Sequence, residues 1–384
     1  MEQWTEIRAA DFIEFNPRMS IKKGTIATKV AMDKLQPFTK KIPDSEKASF
    51  SGGSKFRNGD TIMARITPCL ENGKTAFVDI LGKAEVAFGS TEFIVMRARE
   101  GISDPQFIYY LATSPWFRNI AIKSMVGSSG RQRVQQSVLD DLVLNVPPLE
   151  EQKKISSFLC VLDQKIALNN EINDNLQQQA AALFANFYDQ AETEVGFTEI
   201  IQILGGGTPK TGESSYWNGN VPFFTPKDVG LPYTITTEKT ITEEGLAHCN
   251  SRLYPINTVF VTARGTVGKV GLPGVPMAMN QSCYALVGKD THQLLVYFYT
   301  LKVVDRLKHK ASGAVFDAIT TRDFESEIIM KLSDDDAKAF LDVAEPIYQA
   351  VLSNSIENLR LAALRDSLLP KLMSGEIDVS DIHL

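Results

Sequence analysis

One stretch, Val146-Pro147-Pro148-Leu149-Glu150-Glu151-Gln152-Lys153-Lys154-Ile155, ends a strand pattern and opens a long helical one. Proline is tolerated in the first turn of a helix, and the two glutamates complement the positive end of the helix dipole. Apolar residues from Ile155 to Phe187 then keep one face over about 33 residues, or roughly 50 Å at a rise of about 1.5 Å per residue. We therefore predict a long helix that begins just after Pro148.

A second long helix is predicted near the C-terminus. Ser333-Asp334-Asp335-Asp336 has the pattern of a capping box, in which the serine and the third following carboxylate satisfy free backbone amides. An apolar face follows from Phe340 to Leu368, and Gly375 is a plausible stop. Pro346 lies inside this pattern and predicts a kink or a break near Glu345.

Asparagines interrupt both apolar faces, at Asn169 in the first helix and at Asn354 and Asn358 in the second. A polar residue at a seam position costs stability but specifies register and partner, so we predict that the two helices pair as a coiled coil. Two independent core helices with tolerated asparagines at their edges are the alternative. The residues predicted to make the pairing are Leu162, Ile166, Asn169, Leu176, Ile347, Val351, Asn354 and Leu361.

The segments before the two helices echo each other. Residues 60–65 are answered by residues 258–264, and residues 107–111 by residues 295–299. Arg65 and Arg264 follow a strand in each copy, which predicts a structural role shared by both. We expect an α+β protein with a pseudo-two-fold internal repeat, in which two similar globular domains are separated by two long antiparallel helices. The predicted boundaries are residues 1–146 and 191–331 for the domains, and 147–190 and 332–384 for the helices.

Composition excludes several classes of protein. The chain has 384 residues, of which 43% are hydrophobic, so it can bury substantial cores. No run of about 18 apolar residues occurs, and the first residues lack the pattern of a secretion signal, so we expect a cytoplasmic protein with no membrane contact. The cysteines Cys69, Cys160, Cys249 and Cys283 lack the paired spacing of a zinc site and are expected to be free thiols.

Charge is distributed unevenly along the chain. The total is −6, but residues 1–145 hold 20 Lys and Arg against 16 Asp and Glu, and residues 196–330 hold 12 against 12. Residues 146–195 hold 3 against 8, and residues 331–384 hold 5 against 10. The acidity therefore lies on the helices, which leaves the globular segments free to present basic faces to a phosphate backbone.

Three motifs carry a family resemblance: Val146–Ile155, Leu364–Gly375, and Gly206-Gly207-Thr208-Pro209 with Tyr216-Trp217 and Thr225-Pro226-Lys227-Asp228. Together, in this order, they resemble the specificity subunit of type I restriction-modification systems, and the resemblance covers nearly the whole chain. It implies two target-recognition domains, each reading one half of a split double-stranded DNA site. The first domain lacks the Gly-Gly-Thr-Pro opening, and Leu332-Ser333-Asp334 replaces a second Pro-Pro-Leu-Glu entry.

The resemblance also implies partners. Two modification subunits would bind S-adenosylmethionine and methylate adenine, and translocating restriction subunits would use ATP and Mg. This chain would hold no cofactor and no metal and would catalyse no reaction. Because a DNA turn spans about 34 Å, two domains on helices of roughly 50 Å would meet half-sites a turn or more apart.

Base edges and phosphates are read by Arg, Lys, Asn, Gln, Ser and Thr, above all on loops whose glycines permit close approach. Residues 127–133, with two glycines and two arginines, are the best single candidate, with a solvated basic turn as the alternative. Gly206-Gly207-Thr208-Pro209 with Trp217 predicts a turn packed by an aromatic ring. The predicted DNA contacts are Lys22, Lys23, Lys40, Lys41, Lys55, Arg57, Arg131, Gln132, Arg133, Thr208, Lys210, Lys227, Lys269, Lys308 and Lys310.

Enzymatic interpretations fail on their chemistry. Residues 205–211 approach a phosphate-binding loop, but Pro209 stands where a glycine is needed and removes an amide that would bind phosphate. No glycine-rich cofactor loop follows a strand, and the histidines form no catalytic or metal-binding motif. The competing function from another class is a coiled-coil scaffold that binds proteins and not DNA. Such a scaffold has no reason to gather cations in glycine-rich loops of both domains.

Overall fold

The computed structural model describes residues 4–128, 130–230, 232–310 and 318–379. The chain folds as two compact units. Unit 1 comprises Met1–Ala167 together with Leu359–Leu384, and unit 2 comprises Leu168–Asn358. Each unit therefore includes part of both long helices.

Unit 1 is a mixed α and β structure. Its elements are β1 (Thr5–Arg8), α1 (Ala9–Phe12), β2 (Ile13–Phe15), β3 (Ile26–Val30), a 3-10 turn (Met32–Lys34), β4 (Glu46–Ser49), β5 (Ser54–Phe56), β6 (Thr61–Ala64), β7 (Thr75–Phe77), β8 (Ala87–Gly89), β9 (Phe93–Ala98), α2 (Pro105–Thr113), α3 (Pro115–Lys123), α4 (Gln136–Asp140), β10 (Val143–Val146) and the first part of α5 (Leu149–Gln190). The last part of α10 (Asp334–Met373) completes it.

Two four-stranded sheets form the body of unit 1, in the orders β2-β9-β6-β7 and β4-β3-β8-β5. The first sheet is antiparallel, whereas β3 and β8 of the second run parallel. Helix α2 packs Phe107 and Tyr110 into the main core, where Leu369 and Leu372 of α10 also lie. The short pair β1-β10 leads directly into α5. The core of this unit thus draws on both ends of the chain.

Unit 2 repeats this arrangement. Its elements are the last part of α5, β11 (Thr193–Gly196), α6 (Phe197–Ile200), β12 (Ile201–Gly205), a 3-10 turn (Ser214–Tyr216), β13 (Trp217–Phe224), β14 (Tyr233–Thr234), β15 (Lys239–Ile241), α7 (Glu243–Ala247), β16 (Val259–Thr262), β17 (Val270–Pro273), β18 (Ala278–Met279), β19 (Cys283–Gly288), α8 (Gln293–Lys310), α9 (Thr321–Glu325), β20 (Ile328–Lys331) and the first part of α10.

The sheets of unit 2 have the orders β12-β19-β16-β17-β14, β15-β13-β18 and β11-β20. Strands β12, β19, β16 and β17 correspond to β2, β9, β6 and β7 of unit 1, and β11-β20 corresponds to β1-β10. Strands β13 and β18 run parallel, as β3 and β8 do. The predicted internal duplication is therefore confirmed by topology, although the loops differ in length.

The long helices begin and end as their local sequence predicts. Helix α5 starts at Leu149, directly after the two prolines. Before α10, the Ser333 hydroxyl accepts the amide of Asp336 and donates to its carboxylate. After α10, the amide of Gly375 contacts the Leu372 carbonyl, and Gly375 adopts the left-handed conformation, with φ +75°.

Of the kink or break predicted near Glu345, the break does not occur. Helix α10 runs continuously from Asp334 to Met373. A proline removes one backbone hydrogen bond and costs roughly 3 kcal/mol in a helix interior. Here Ala344 and Tyr348, on either side of the proline, are buried in the core of unit 2. Burial of these residues holds the helix together where its local sequence favours an interruption.

The two helices pair in antiparallel fashion. In unit 2, Asn169 donates to Glu357 Oε2 at 2.7 Å and to Asn358 Oδ1 at 2.9 Å, while Asn354 donates to Asn173 Oδ1 at 2.9 Å. In unit 1, Arg365 and Asp163 form an ion pair at 2.6 Å. Of the residues predicted to pair, Leu162, Asn169 and Val351 are buried; Leu176 and Ile347 pack on the core of unit 2; and Ile166, Asn354 and Leu361 are half-buried.

The cysteines are free thiols, as predicted. Among the residues that the structure describes, no helix has the length and apolar character needed to cross a membrane.

Candidate nucleic-acid interface

In unit 1, several loops gather at one end of the sheet β2-β9-β6-β7. The last residues of β2 and β6 lie beside the first residues of β9, because Phe15 pairs with Met96 and Ala64 pairs with Phe93. The loops after β2 and β6, the loop before β9, and residues 126–133 meet there. We call this region, residues 16–19, 65–68, 90–92 and 126–133 without the undescribed Ser129, the loop end of unit 1.

Residues 126–133 form a closed loop. Val126 and Arg133 exchange both backbone hydrogen bonds, at 3.0 and 2.9 Å, and the Arg131 amide donates to the Ser128 carbonyl at 3.0 Å. The Thr67 amide donates to the Gln132 carbonyl at 3.0 Å and ties this loop to the loop after β6. Gly127 has φ +133°, a conformation that other residues rarely adopt. The backbone conformation at Gly127 therefore favours a glycine, as was predicted for this stretch.

The polar side chains of residues 126–133 differ in their exposure and in their contacts. The Arg133 guanidinium makes contacts of 2.7 to 3.0 Å with both carboxylate oxygens of Glu92. These hydrogen bonds and the charge of Glu92 raise the pKa of Arg133, which therefore stays cationic. Arg131 is exposed and Gln132 is half-buried. Neither of these two side chains has a hydrogen-bond partner or an ion-pair partner within the described part of the chain.

Arg65 and Arg264 do not occupy the same place. Strand pairing aligns Ala64–Phe93 with Thr262–Cys283, so Arg65 corresponds to Ala263 and not to Arg264. Backbone hydrogen bonds support the same alignment. The Val134 amide donates to the Arg65 carbonyl, and the Ile319 amide donates to the Ala263 carbonyl. The prediction of a shared role was therefore wrong. A shift of one residue in a strand turns the side chain to the opposite face.

The consequence is seen in their surroundings. Arg65 is half-buried, and its Nη2 donates to the Val134 carbonyl at 3.3 Å. Arg264 is exposed. Arg65 therefore has a structural role, whereas Arg264 is available to a ligand.

Unit 2 has an equivalent loop end. Gly205 pairs with Tyr284 and Thr262 pairs with Cys283, so residues 206–210, 263–268 and 280–282 meet at one end of the sheet β12-β19-β16-β17. Residues 225–228 join them, since the Thr266 hydroxyl donates to the Pro226 carbonyl at 3.0 Å and the Asn280 amide donates to the Phe224 carbonyl at 2.9 Å. We call these four segments the loop end of unit 2.

The Gly-Gly-Thr-Pro segment is a tightly packed turn. A side chain at Gly206 would collide with the carbonyl oxygen of Asn280, and one at Gly207 would collide with the backbone of Asn250. The Trp217 indole donates to the Lys210 carbonyl at 3.2 Å, so this aromatic side chain is tied to the residue that directly follows the turn. The Thr208 hydroxyl donates to the Gln281 side chain. This contact brings a predicted residue together with one that the sequence analysis missed.

Several exposed cations lie near the Gly-Gly-Thr-Pro segment, and side-chain hydrogen bonds hold the turn that carries one of them. Lys210, Lys227 and Lys269 are exposed, as is Arg264. The carboxylate of Asp228 accepts the amide and the hydroxyl of Thr225, at 2.8 and 2.6 Å, and so rigidifies the turn that carries Lys227. Thus the loop end of unit 2 holds three of the predicted residues, Thr208, Lys210 and Lys227, and adds Arg264, while Lys269 directly follows its segment 263–268.

The other predicted residues lie elsewhere. Lys308 and Lys310 are at the end of α8, where Lys310 pairs with Glu327. Lys22 and Lys23 are exposed on a turn before β3. Lys55, on β5, lies 5.3 Å from the centroid of the Phe50 ring, and Arg57 follows it on an exposed turn.

Lys40 lies in a different environment from these. Its Nζ is 3.1 Å from the Tyr110 hydroxyl and 3.0 Å from Cys160 Sγ, so it faces helices α2 and α5. The neighbouring Lys41 is exposed. Lys40 is thus already engaged with the protein.

Glu92 and Gln281 lie at the loop ends but were not predicted from the sequence. Glu92 belongs to Ser90-Thr91-Glu92 and Gln281 to Asn280-Gln281-Ser282, and both segments connect to the first residue of the strand β9 or β19. An alignment of the two halves of the chain through these strands would have marked both segments as parts of the loop ends.

A chain with two diverged copies of one α+β domain, with polar and cationic loops at one sheet end of each, has the organisation of a DNA-recognition protein. The model of the type I restriction modification DNA specificity domain matches residues 1–178 and 193–331. The chain belongs to this family, and its role is to supply DNA sequence specificity.

Individual relatives agree with this assignment. The type I restriction enzyme HindI specificity subunit of Haemophilus influenzae is 25% identical over 407 residues, covering 84% of this chain and 87% of the relative. The EcoR124I/EcoR124II specificity subunit of Escherichia coli is 27% identical over 209 residues, half of each chain. The crystal structure of a type I restriction-modification S subunit from M. genitalium has the same fold, with a TM-score of 0.60 at 14% identity over 96% of both chains.

Proposed function

We propose that this chain reads a split, asymmetric DNA site, with the loop end of each unit reading one half. The observation that carries the proposal is that one topology occurs twice with different residues at its loop end. The loop end of unit 1 carries Arg131, which is exposed, and Gln132, which is half-buried, whereas other loops at the loop end of unit 2 carry Thr208, Lys227 and Arg264. Because base edges are distinguished by their hydrogen-bond patterns, different side chains select different bases. Two identical domains would instead read a palindrome.

The proposed contacts follow from side-chain chemistry. Arg131 suits the two acceptors of a guanine edge, and Gln132 suits an adenine edge. Thr208, Lys210, Lys227, Lys269 and Arg264 suit phosphates and base edges in the other half-site. For the predicted residues outside the loop ends, namely Lys22, Lys23, Lys41, Lys55, Arg57 and Lys308, phosphate contact remains a prediction.

We further propose that the chain positions other subunits and catalyses no reaction itself. Two modification subunits would bind S-adenosylmethionine and methylate adenine, and translocating restriction subunits would use ATP and Mg. An adenine inside a duplex must be flipped out before methylation, so the modification subunits must be held over the correct bases. The acidic outward faces of α5 and α10 are the surfaces on which we expect them to dock.

The experiment is a map of methylated adenines in host DNA, compared between the intact strain and a strain that lacks this chain. We expect a split motif with two unlike halves, which disappears when the gene is deleted. Unchanged methylation, together with co-purification of a protein partner and no DNA binding, would instead support the protein scaffold.

Arg131→Ala tests the assignment of unit 1 to one half-site. We expect relaxed recognition at one position of one half and an unchanged other half, because only the guanine contact is removed. The expected loss is about 1–3 kcal/mol of binding free energy, or about five- to 150-fold in affinity. Lys83→Ala is the control, since Lys83 is exposed on the segment after β7, away from the loop end. Equal effects of both variants would contradict the assignment.

A further inference from the structure

The loop end of unit 1 contains a carboxylate where DNA is expected. Glu92 stands between β8 and β9, and its side chain is 23% exposed. Its two oxygens hold Arg133, whose side chain is 46% exposed. A carboxylate on a phosphate-binding surface opposes binding unless it has another task. Its position on this loop end therefore calls for an explanation in terms of recognition.

We propose that Glu92 withholds Arg133 from the phosphate backbone and so suppresses sequence-independent binding by unit 1. This inference rests on the proposed function and deepens it. With Arg133 neutralised by its partner, Arg131 and Gln132 are the longest polar side chains that the described residues of the loop offer to DNA, and Ser128 is exposed beside them. Discrimination between sites rises because non-specific affinity, which comes from phosphate contacts, falls.

The loop does not need the ion pair to keep its shape. Its ends are joined by the Val126–Arg133 backbone hydrogen bonds, and Gln132 and Val134 are tied to Thr67 and Arg65 through backbone contacts of 3.0 and 2.8 Å. The bidentate contact between Glu92 and Arg133 therefore neutralises the charge of Arg133 and contributes less to the backbone conformation of the loop. This separation makes the charge effect testable by a neutral, isosteric replacement.

Among its described residues, unit 2 has no carboxylate and arginine at the two positions that correspond to Glu92 and Arg133. The residue that corresponds to Glu92 is Ser282, since Phe93 aligns with Cys283. Neither Lys227 nor Arg264 has a carboxylate partner among the residues for which the structure gives side chains. The effect of Glu92 should consequently be confined to the half-site that unit 1 reads.

The test uses the full-length chain in complex with its co-purified modification subunits. Binding to a random-sequence duplex is measured by fluorescence anisotropy over a range of salt concentrations, for the wild type, Glu92→Gln, Arg133→Gln and the double variant. The control is Glu46→Gln, which frees Lys29 from an exposed ion pair of 2.6 Å between β3 and β4; neither residue belongs to the loop end. Both glutamate variants change the net charge equally.

We expect Glu92→Gln to bind random DNA several-fold more tightly, with a salt dependence of log K steeper by about 0.9, the value for one added phosphate contact. The double variant should return to the wild-type slope, and Glu46→Gln should keep that slope. In cells, Glu92→Gln should methylate additional sites that differ from the motif in one half only.

Two results would overturn the inference: an unchanged salt dependence in Glu92→Gln, or a gain in affinity that persists when Arg133 is also replaced. Either would show that Glu92 only supports the loop. If the wild-type complex has no sequence preference, the proposed function fails as well. If the wild type is specific and Glu92→Gln behaves identically, only this inference fails.

Discussion

The polar side chains of unit 1 include a buried ion pair between the two long helices. Arg365 Nη1 lies 2.6 Å from Asp163 Oδ1, and the two side chains are only 15% and 11% exposed. The Tyr110 hydroxyl donates to the other carboxylate oxygen at 2.6 Å. Burial raises the pKa of Tyr110, and the charge of Asp163 raises it further, so the phenol remains a donor. The side chains of Tyr110, Asp163 and Arg365 satisfy one another on the wall of a cavity and are largely removed from water.

Removing one member of this group should be costly. Arg365→Ala leaves the Asp163 carboxylate buried with the phenol alone, and we expect the free energy of unfolding of unit 1 to fall by about 3–5 kcal/mol. Urea denaturation followed by circular dichroism measures the change. Lys371→Ala, which removes an exposed ion pair with Glu376 in the same unit, is the control and should have little effect. Similar losses in both variants would show that the buried pair has no special weight.

Among the elements, the pairing of α5 with α10 contains a layer of asparagines within unit 2. Asn169 and Asn173 are 1% and 6% exposed, so their amides are almost fully removed from water. Asn173 accepts from Asn354, and Asn358 donates to Asn170 at 2.8 Å. Because buried amides must find partners, only the observed register satisfies this layer. The apolar residues on either side would tolerate several registers.

Replacing one member of this layer should be worse than replacing two. Asn173→Leu leaves the Asn354 amide without its acceptor, and we expect a loss of about 1–3 kcal/mol in the free energy of unfolding. Asn173→Leu combined with Asn354→Leu should recover much of this loss, because no buried polar group is then left unpaired. Thermal and urea unfolding of the four proteins of this cycle give the coupling energy. A coupling near zero would mean that the layer does not specify the register.

At the scale of the whole molecule, unit 1 is closed by the C-terminal segment of the chain. Leu369, Leu372 and Val379 lie in the same core as Leu144 and Ile155. The Trp4 indole donates to Glu151 at 3.1 Å, and its ring lies beside Gly375. Residues between Leu369 and Val379 are therefore part of unit 1, although they follow unit 2 in the sequence.

Truncation of the chain after Asn358 should therefore destabilise unit 1 and not unit 2, although the deleted residues follow unit 2 in the sequence. We expect amide hydrogen exchange to become fast in β2, β6 and β9 of unit 1, whose core loses the three apolar residues named above. The core of unit 2 around Phe184, Phe298 and Phe340 contains none of the deleted residues and should stay protected. Leu372→Ala in the full-length chain provides a milder version of the same change. Loss of protection in unit 2 alone would contradict the division of the chain.

The sequence by itself determined those features whose causes are local or periodic. A helix start depends on prolines and acidic residues a few positions apart, so Leu149 and Ser333 were predicted correctly. The duplication was visible because both copies keep the order of their strand and helix patterns. The three motifs that begin at Val146, Gly206 and Leu364 together indicated the family.

Only the tertiary structure decided which polar side chains face a ligand. Glu92 and Arg133 are far apart in sequence, and their contact follows from strand pairing that no local pattern encodes. The surroundings of Lys40 also follow from tertiary structure. The sequence predicted a DNA contact, but the Lys40 ammonium contacts Tyr110 on α2 and Cys160 on α5. Arg65 and Arg264 differ by one position in register, and one position in a strand exchanges the buried face for the exposed one. Long-range pairing thus sets the orientation of these side chains, since each depends on residues that only the folded chain brings near.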